Sequence, residues 1–245
     1  MTIRTPADEQ QLRKSGTILS ATLMQVKAAV RPGVRAAELD QLAERLIRAA
    51  GGKPAFKHYN GFPAALCVSI NDEIVHGVPT AEVIIRDGDV VKLDLGVNYN
   101  GYYTDKATTV AVGEIDFEAR RMIAVNKKAL KIAIVNAKAG KKTGDIGNAV
   151  ERYVEKQNFG VVRELCGHGV GKAVHEQPDI PNYGYRNSGD VLREGMVIAI
   201  EPMVTMGDWR VKETKTGSFK TRDGSLAAHF EDTVIVRNGH AEIIT

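Results

Sequence analysis

Two imidazoles and a thiol fall within thirteen residues of this chain, in the stretch Cys166-Gly-His-Gly-Val-Gly-Lys-Ala-Val-His-Glu-Gln-Pro178. Cys166, His168 and His175 are residue types that bind zinc, pair as a cysteine–histidine nucleophile, or sit in an ordinary polar loop. Nothing inside the stretch chooses among the three. Four acids elsewhere bear on the choice: Asp94 in VVKLDLGV, Glu201 in MVIAIEPM, and Asp105 and Glu231 in the segments that follow them.

The elements that must position these residues come from periodicity. Apolar residues Leu12, Ile18, Leu19, Leu23 and Val26 predict an amphipathic helix over Ala7–Val30, ending near Arg31-Pro32-Gly33. A second helix is predicted over Ala37–Ala50, and further helices over Phe117–Ala139 and Ile146–Lys156. Ala64–Ile70 and Val90–Asn98 read as strands; Tyr99-Asn100-Gly101 then offers a hairpin turn to a returning strand that reaches Val112. Val197–Met206 and Phe230–Arg237 read as strands as well.

This order describes one block that occurs twice. Arg86–Asp94 aligns with Arg193–Glu201 at a separation of 107 residues, which also places Gly33 on Gly140 and Glu44-Arg45 on Glu151-Arg152. Asp105–Val110 resembles Glu231–Val234 at a separation of 126. A constant offset across helix and strand points to duplication. The expectation is a single domain over residues 1–245, with internal halves of about 1–113 and 114–245. Each half then brings a strand that ends in a carboxylate (Asp94, Glu201) and a returning strand that carries another (Asp105, Glu231).

A lone acid in an apolar strand usually faces solvent. Four at matched positions of a repeated unit would converge, repel one another and hold protons unless cations neutralise them. Two divalent ions carry the charge required, and His168 supplies a nitrogen ligand between two small glycines. One imidazole with several carboxylates suits Mn, Fe, Co or Zn, unlike the thiolate set of structural zinc. Paired ions of this kind activate water, so hydrolysis is the expected reaction class.

Composition sets wide bounds. The 245 residues are 43% hydrophobic and 26% charged, with a formal net charge of +3, which neither implies nor excludes a nucleic-acid surface. Cys67 and Cys166 make no disulfide framework. MTIRTPADEQQLRKSG lacks the apolar core of a signal peptide, and no window approaches the ~18 apolar residues of a membrane span, so a cytoplasmic location is expected. The basic run Arg210–Arg222 reads as a solvated loop.

With these residues assembled, the chain resembles the type I methionine aminopeptidases. The likeness rests on Asn71-Asp-Glu-Ile-Val-His-Gly-Val-Pro79, on LDLG with Asp105 eleven residues beyond Asp94, on CGHGVGKAVHEQP, on AIEPM and on HFEDT. The resemblance implies an α/β pita-bread fold, two pseudo-twofold halves around a central antiparallel sheet flanked by helices. It also implies a monomer that removes the initiator methionine from nascent chains by attack of a hydroxide bridging two metal ions. It makes Asp94, Asp105, His168, Glu201 and Glu231 the metal ligands, with Asp105 and Glu231 bridging and Glu201 also shuttling a proton. His76 and His175 become substrate-facing groups, and Tyr59, Phe62, Cys67 and Trp209 a methionine pocket. Asn71 resembles part of a monovalent-cation site. A contact with the ribosome is left open.

The sequence departs from the common family pattern at a few positions. Val174 stands where Phe is usual, which widens the expected pocket; Asp232 stands for His, His229 for Gln, and Thr104 and Lys106 for Gly and Thr. Two rivals follow from the same fold. An Xaa-Pro aminopeptidase or prolidase usually has an additional amino-terminal domain and Glu-Pro-Gly where this chain has Glu201-Pro-Met203. A non-catalytic pita-bread protein that binds RNA or protein would have lost ligands that this chain keeps.

Overall fold

A computed structural model describes residues 1–245. Its first half runs α1 (Pro6–Ala29), α2 (Ala36–Ala49), β1 (Lys53–Pro54), β2 (Leu66–Ile70), β3 (Glu73–Val75), β4 (Val90–Tyr99) and β5 (Tyr102–Ala111). Its second half runs α3 (Phe117–Asn136), α4 (Thr143–Glu155), β6 (Gly160–Val161), β7 (Gly167–Gly169) and β8 (Glu176–Ile180). It continues through β9 (Val197–Ile200), β10 (Met203–Thr205), β11 (Val211–Glu213), β12 (Phe219–Thr221), β13 (Ala227–His229), β14 (Asp232–Val236) and β15 (Ala241–Ile243). Two helices followed by antiparallel strands thus occur twice, as the internal repeat predicts.

Local chemistry sets the helix ends. Thr5 caps α1 through a reciprocal box: its hydroxyl accepts from the Asp8 amide, the Asp8 carboxylate accepts from the Thr5 amide, and Pro6 opens the helix. The α4 helix starts at Thr143, three residues before the predicted Ile146, because Gly144 and Gly147 are helical despite low propensity. Both glycines let the helix press against the Tyr183 and Tyr185 carbonyls, where any side chain would collide.

Two main cores separate the halves. Leu19, Leu23, Leu39 and Ile47 of α1 and α2 pack on Val91, Leu93, Leu95 and Val97 of β4. Met122, Ala129, Ala133 and Val150 of α3 and α4 pack on Ile198, Ile200, Val204 and Val234. Successive strand residues face opposite ways, so the odd positions of β4 meet the helices while Lys92, Asp94 and Gly96 face the other side.

Every strand pairing is antiparallel. In one sheet, β4 pairs with β5 on one side and with β1 and β2 on the other; a second has the order β15-β14-β9-β7-β8. The predicted strand Val197–Met206 is two strands, β9 and β10, which belong to different sheets. Its break falls at Glu201-Pro202, where proline has no N–H to continue a ladder. The predicted strand Phe230–Arg237 likewise starts only at Asp232, because β13 and β14 divide between the same two sheets at Phe230-Glu231. Glu201 and Glu231 therefore both sit where the chain leaves one sheet for another. Asp232 pairs with Ile200, which sets the two acids opposite each other.

Candidate metal centre and cavity

Strand register assembles the first two acids. Asp94 pairs with Ala107 across the β4–β5 hairpin and Gly96 pairs with Asp105, so the two aspartates are diagonal neighbours on one face. Cys67 of β2 lies opposite Asp94 on that face. His168 on β7 pairs with Ala199 of β9, two residues before Glu201. Donor atoms of Asp105, His168 and Glu231 lie within 4.8 Å of one another, as do those of Glu201, His229 and Glu231. The five predicted ligands converge.

Their electrostatics describe a charge problem. Burial pushes the carboxyl of Asp94 up to about 7 and that of Glu201 up to about 8. Asp105 and Glu231 are also driven far above the usual carboxylate range, by burial first and then by their acidic neighbours. Asp94 Oδ1, Asp105 Oδ1 and Glu231 Oε1 are buried without a hydrogen-bond partner. Unpartnered buried oxygens of this kind are costly, and divalent cations satisfy them. The donor set therefore fits metal.

His168 is prepared as a neutral ligand. Its Nδ1–H donates to the Gly169 carbonyl at 2.9 Å, which leaves the Nε2 lone pair directed at the acids, 3.5 Å from Glu201 Oε1. Burial lowers its pKa to about 3. The flanking glycines make room for neighbouring strands rather than for an ion: a side chain at Gly167 would strike the Ala199 carbonyl, and one at Gly169 the Gln177 carbonyl. Cys166 is half-buried, and burial followed by Asp179 and Glu201 pushes its thiol up to about 11, so no thiolate forms there.

A cavity of about 380 Å³ opens over the cluster, lined by Tyr59, Phe62, Cys67, His76, Asp94, Asp105, His168, His175, Glu201 and Glu231 among others. His175 Nδ1 and the Tyr59 hydroxyl are 3.1 Å apart, which fixes the plane of the imidazole. The His175 ring lies 4.2 Å from that of His168, centroid to centroid. His76 has a φ of 60°, a left-handed backbone uncommon outside glycine, and its ring meets Phe219 edge-on at 5.7 Å.

Two expectations are corrected here. Trp209 does not line the cavity; its indole lies against the guanidinium groups of Arg163 and Arg210, at 4.9 and 4.8 Å. Val174, expected to widen the pocket, is buried and does not line the cavity. Trp209's place is taken by residues that sequence reasoning missed: Phe56, Glu213, Thr216, Gly217 and Phe219. The last four belong to the basic run read as a solvated loop. It is instead the β11–β12 hairpin, which pairs with β3. Its signal was present in the two short alternating runs around Gly217, whose φ is 81°.

Two other departures answer each other. Lys106 and Asp232 form an ion pair, each beside a cluster acid, Asp105 or Glu231. At Asn71, where a monovalent cation is implied, the backbone carbonyl accepts from the amine of Lys92 at 2.8 Å, and Val90's carbonyl accepts at 3.2 Å. Lys92 is 1% exposed; burial lowers its pKa to about 7, against the pull of Glu73, Asp72 and Asp89.

Comparison with known proteins matches residues 10–238 to the metallopeptidase family M24. Methionine aminopeptidase of Clostridium acetobutylicum is 42% identical over 244 residues, 99% of this chain and 98% of that protein. The crystal structure of methionine aminopeptidase from Thermotoga maritima superposes with a TM-score of 0.97 at 41% identity, covering 100% of this chain and 99% of that one. Prolidase from Pyrococcus furiosus shares the fold at a TM-score of 0.80 and 26% identity, with 65% of its length covered.

Proposed function

Because the chain belongs to metallopeptidase family M24, we propose that it is a metal-dependent methionine aminopeptidase whose centre is Asp94, Asp105, His168, Glu201 and Glu231. The observation that carries this reading is the convergence of four buried, mutually repelling carboxylates on a neutral imidazole inside one cavity. The relatives favour the methionine reading over the prolidase one: likeness is near-complete to the former (TM-score 0.97) and weaker to the latter (0.80). Oxygen-rich donors with imidazole suit Mn, Fe, Co or Zn. When bound, a pair of such ions supplies Lewis acidity and an activated water.

The chain's own groups do the rest. The cavity wall formed by Tyr59, Phe62 and Cys67 takes an unbranched apolar side chain and keeps water from it. His76 and His175, exposed to the cavity, hydrogen-bond the substrate's backbone and stabilise charge as it develops on the carbonyl oxygen. Glu201 lines the cavity with one oxygen beside His168, which places it to accept a proton from attacking water and return it to the leaving amine. The substrate class is polypeptides that begin with methionine.

Hydrolysis of Met-Ala-Ser set against Xaa-Pro peptides, with and without Mn, Fe or Co, tests the assignment. Metal-dependent release of methionine is expected. Cleavage of the proline peptides alone would replace it with the prolidase reading.

A further inference from the structure

The acid cluster contains a second imidazole that the proposed ligand set leaves unused. His229 closes β13, is 1% exposed, and has no aligned hydrogen-bond partner at Nδ1 or Nε2. Its backbone is held on both sides by one hydroxyl. The His229 amide donates to Thr109 Oγ1 at 2.9 Å, and that hydroxyl donates to the His229 carbonyl at 2.7 Å. With its backbone so held, the ring faces the acids: Nε2 lies 3.2 Å from Glu201 Oε2 and 3.9 Å from Glu231 Oε2.

The two oxygens of Glu201 are thus divided between two imidazoles. Oε1 lies on the His168 side at 3.5 Å, and Oε2 on the His229 side at 3.2 Å. A neutral imidazole carries one N–H. On His229 that proton has an acceptor within hydrogen-bond range at Nε2 and none at Nδ1. A small rotation of the carboxylate aligns the pair.

We propose that His229 is a positioning residue for Glu201: its Nε2–H donates to Oε2 and leaves Oε1, on the His168 side, free to take a divalent ion. This rests on the assignment of Glu201 to the metal set. Without that donor Glu201 can turn both oxygens toward the ion or swing off it, and the carboxylate loses the orientation its proton transfer needs. Partners of this kind around metal ligands are typically worth 10–100-fold in affinity or activity.

The test uses the full chain, stripped of metal and titrated with Co(II), as wild type and as His229→Leu, His229→Met and His229→Gln. Calorimetry is expected to show cobalt affinity about 10–100-fold weaker in the Leu and Met variants. The Gln variant, whose amide donates from a similar reach, is expected to recover most of that loss. Hyperfine-shifted proton spectra of the cobalt protein should show the large through-bond contact shift of a metal-bound imidazole for one ring, that of His168, in wild type and variants alike. A second ring with such contact-shifted N–H and C–H protons, lost on replacing His229, overturns the proposal by making His229 a ligand. Wild-type affinity in the Leu variant, or a Gln variant as weak as Leu, overturns it too. Should the Leu variant not fold, the Met variant carries the comparison. Failure of the peptidase reading has a different signature, cobalt binding without release of methionine from Met-Ala-Ser.

Discussion

Lys106 and Asp232 form an ion pair that ties β5 to β14, the strands beside Asp105 and Glu231. The same strands are bound by Thr233, whose hydroxyl accepts from the Asp105 amide and donates to its carbonyl, both at 2.8 Å. Both charges are largely buried, at 23% and 14% exposure, so losing one strands the other. Lys106→Ala and Asp232→Ala are each expected to destabilise the protein by about 1–3 kcal/mol. A double-mutant cycle in urea should return a coupling above about 1 kcal/mol; additive losses would show that the pair does not act as a unit.

The resemblance assigns Asp105 and Glu231 to both ions, so neither acid would have a substitute. Asp105→Ala and Glu231→Ala are expected to lack metal-dependent release of methionine while folding with unchanged far-UV circular dichroism. Full activity of either variant with added metal would remove that residue from the site.

The raised carboxyls make the metal-free protein sensitive to pH. Above about pH 7.5 unfolded histidines are mostly neutral, so His76, His168, His175 and His229, all lowered by burial in the folded state, weigh little on the balance. Asp94 and Glu201, at about 7 and 8, and the still higher Asp105 and Glu231 keep protons in the folded state that the unfolded chain has already released. The folded state then binds more protons, and its stability falls as pH rises. Lys92, lowered to about 7, pulls the other way with one proton against several. Thermal melts of chelator-treated protein should show Tm falling from about pH 7.5 to 8.5, and saturating Mn or Co should flatten the decline.

His175 is held by Tyr59 and faces the cavity without belonging to the acid cluster. His175→Ala is expected to lower kcat by about 10²-fold, the scale for loss of one charge-stabilising donor. Metal content, read by atomic absorption, should stay at the wild-type value. A metal-free variant would make His175 a ligand instead.

Much of this centre is legible in the sequence. Asp94 and Asp105 follow from alternation and a hairpin turn at Asn100-Gly101, both local rules. His168, Glu201 and Glu231 followed from the repeat and the resemblance, since no local pattern joins residues so far apart. What escaped was decided by pairing across the fold. The resemblance put Trp209 in the pocket wall, yet two arginines claim its faces. Phe219 looked like an incidental residue of a basic run until β12 paired with β3 and set it beside His76. His229 was visible only as an unusual residue, because its distance to Glu201 depends on where β10 and β13 leave their sheet.

The crossovers at Glu201 and Glu231 also give the metal a part in how the protein comes into being. The four acids come together only after β5 of the first half has met β14 of the second, a long-range contact of the slow kind in folding. A chain still emerging, with only its first half folded, offers Asp94 and Asp105 but not the site. An ion that binds only the finished arrangement stabilises it in proportion to the logarithm of its free concentration. Metal supply would then act as quality control, holding completed molecules folded and leaving unfinished ones exposed to proteolysis.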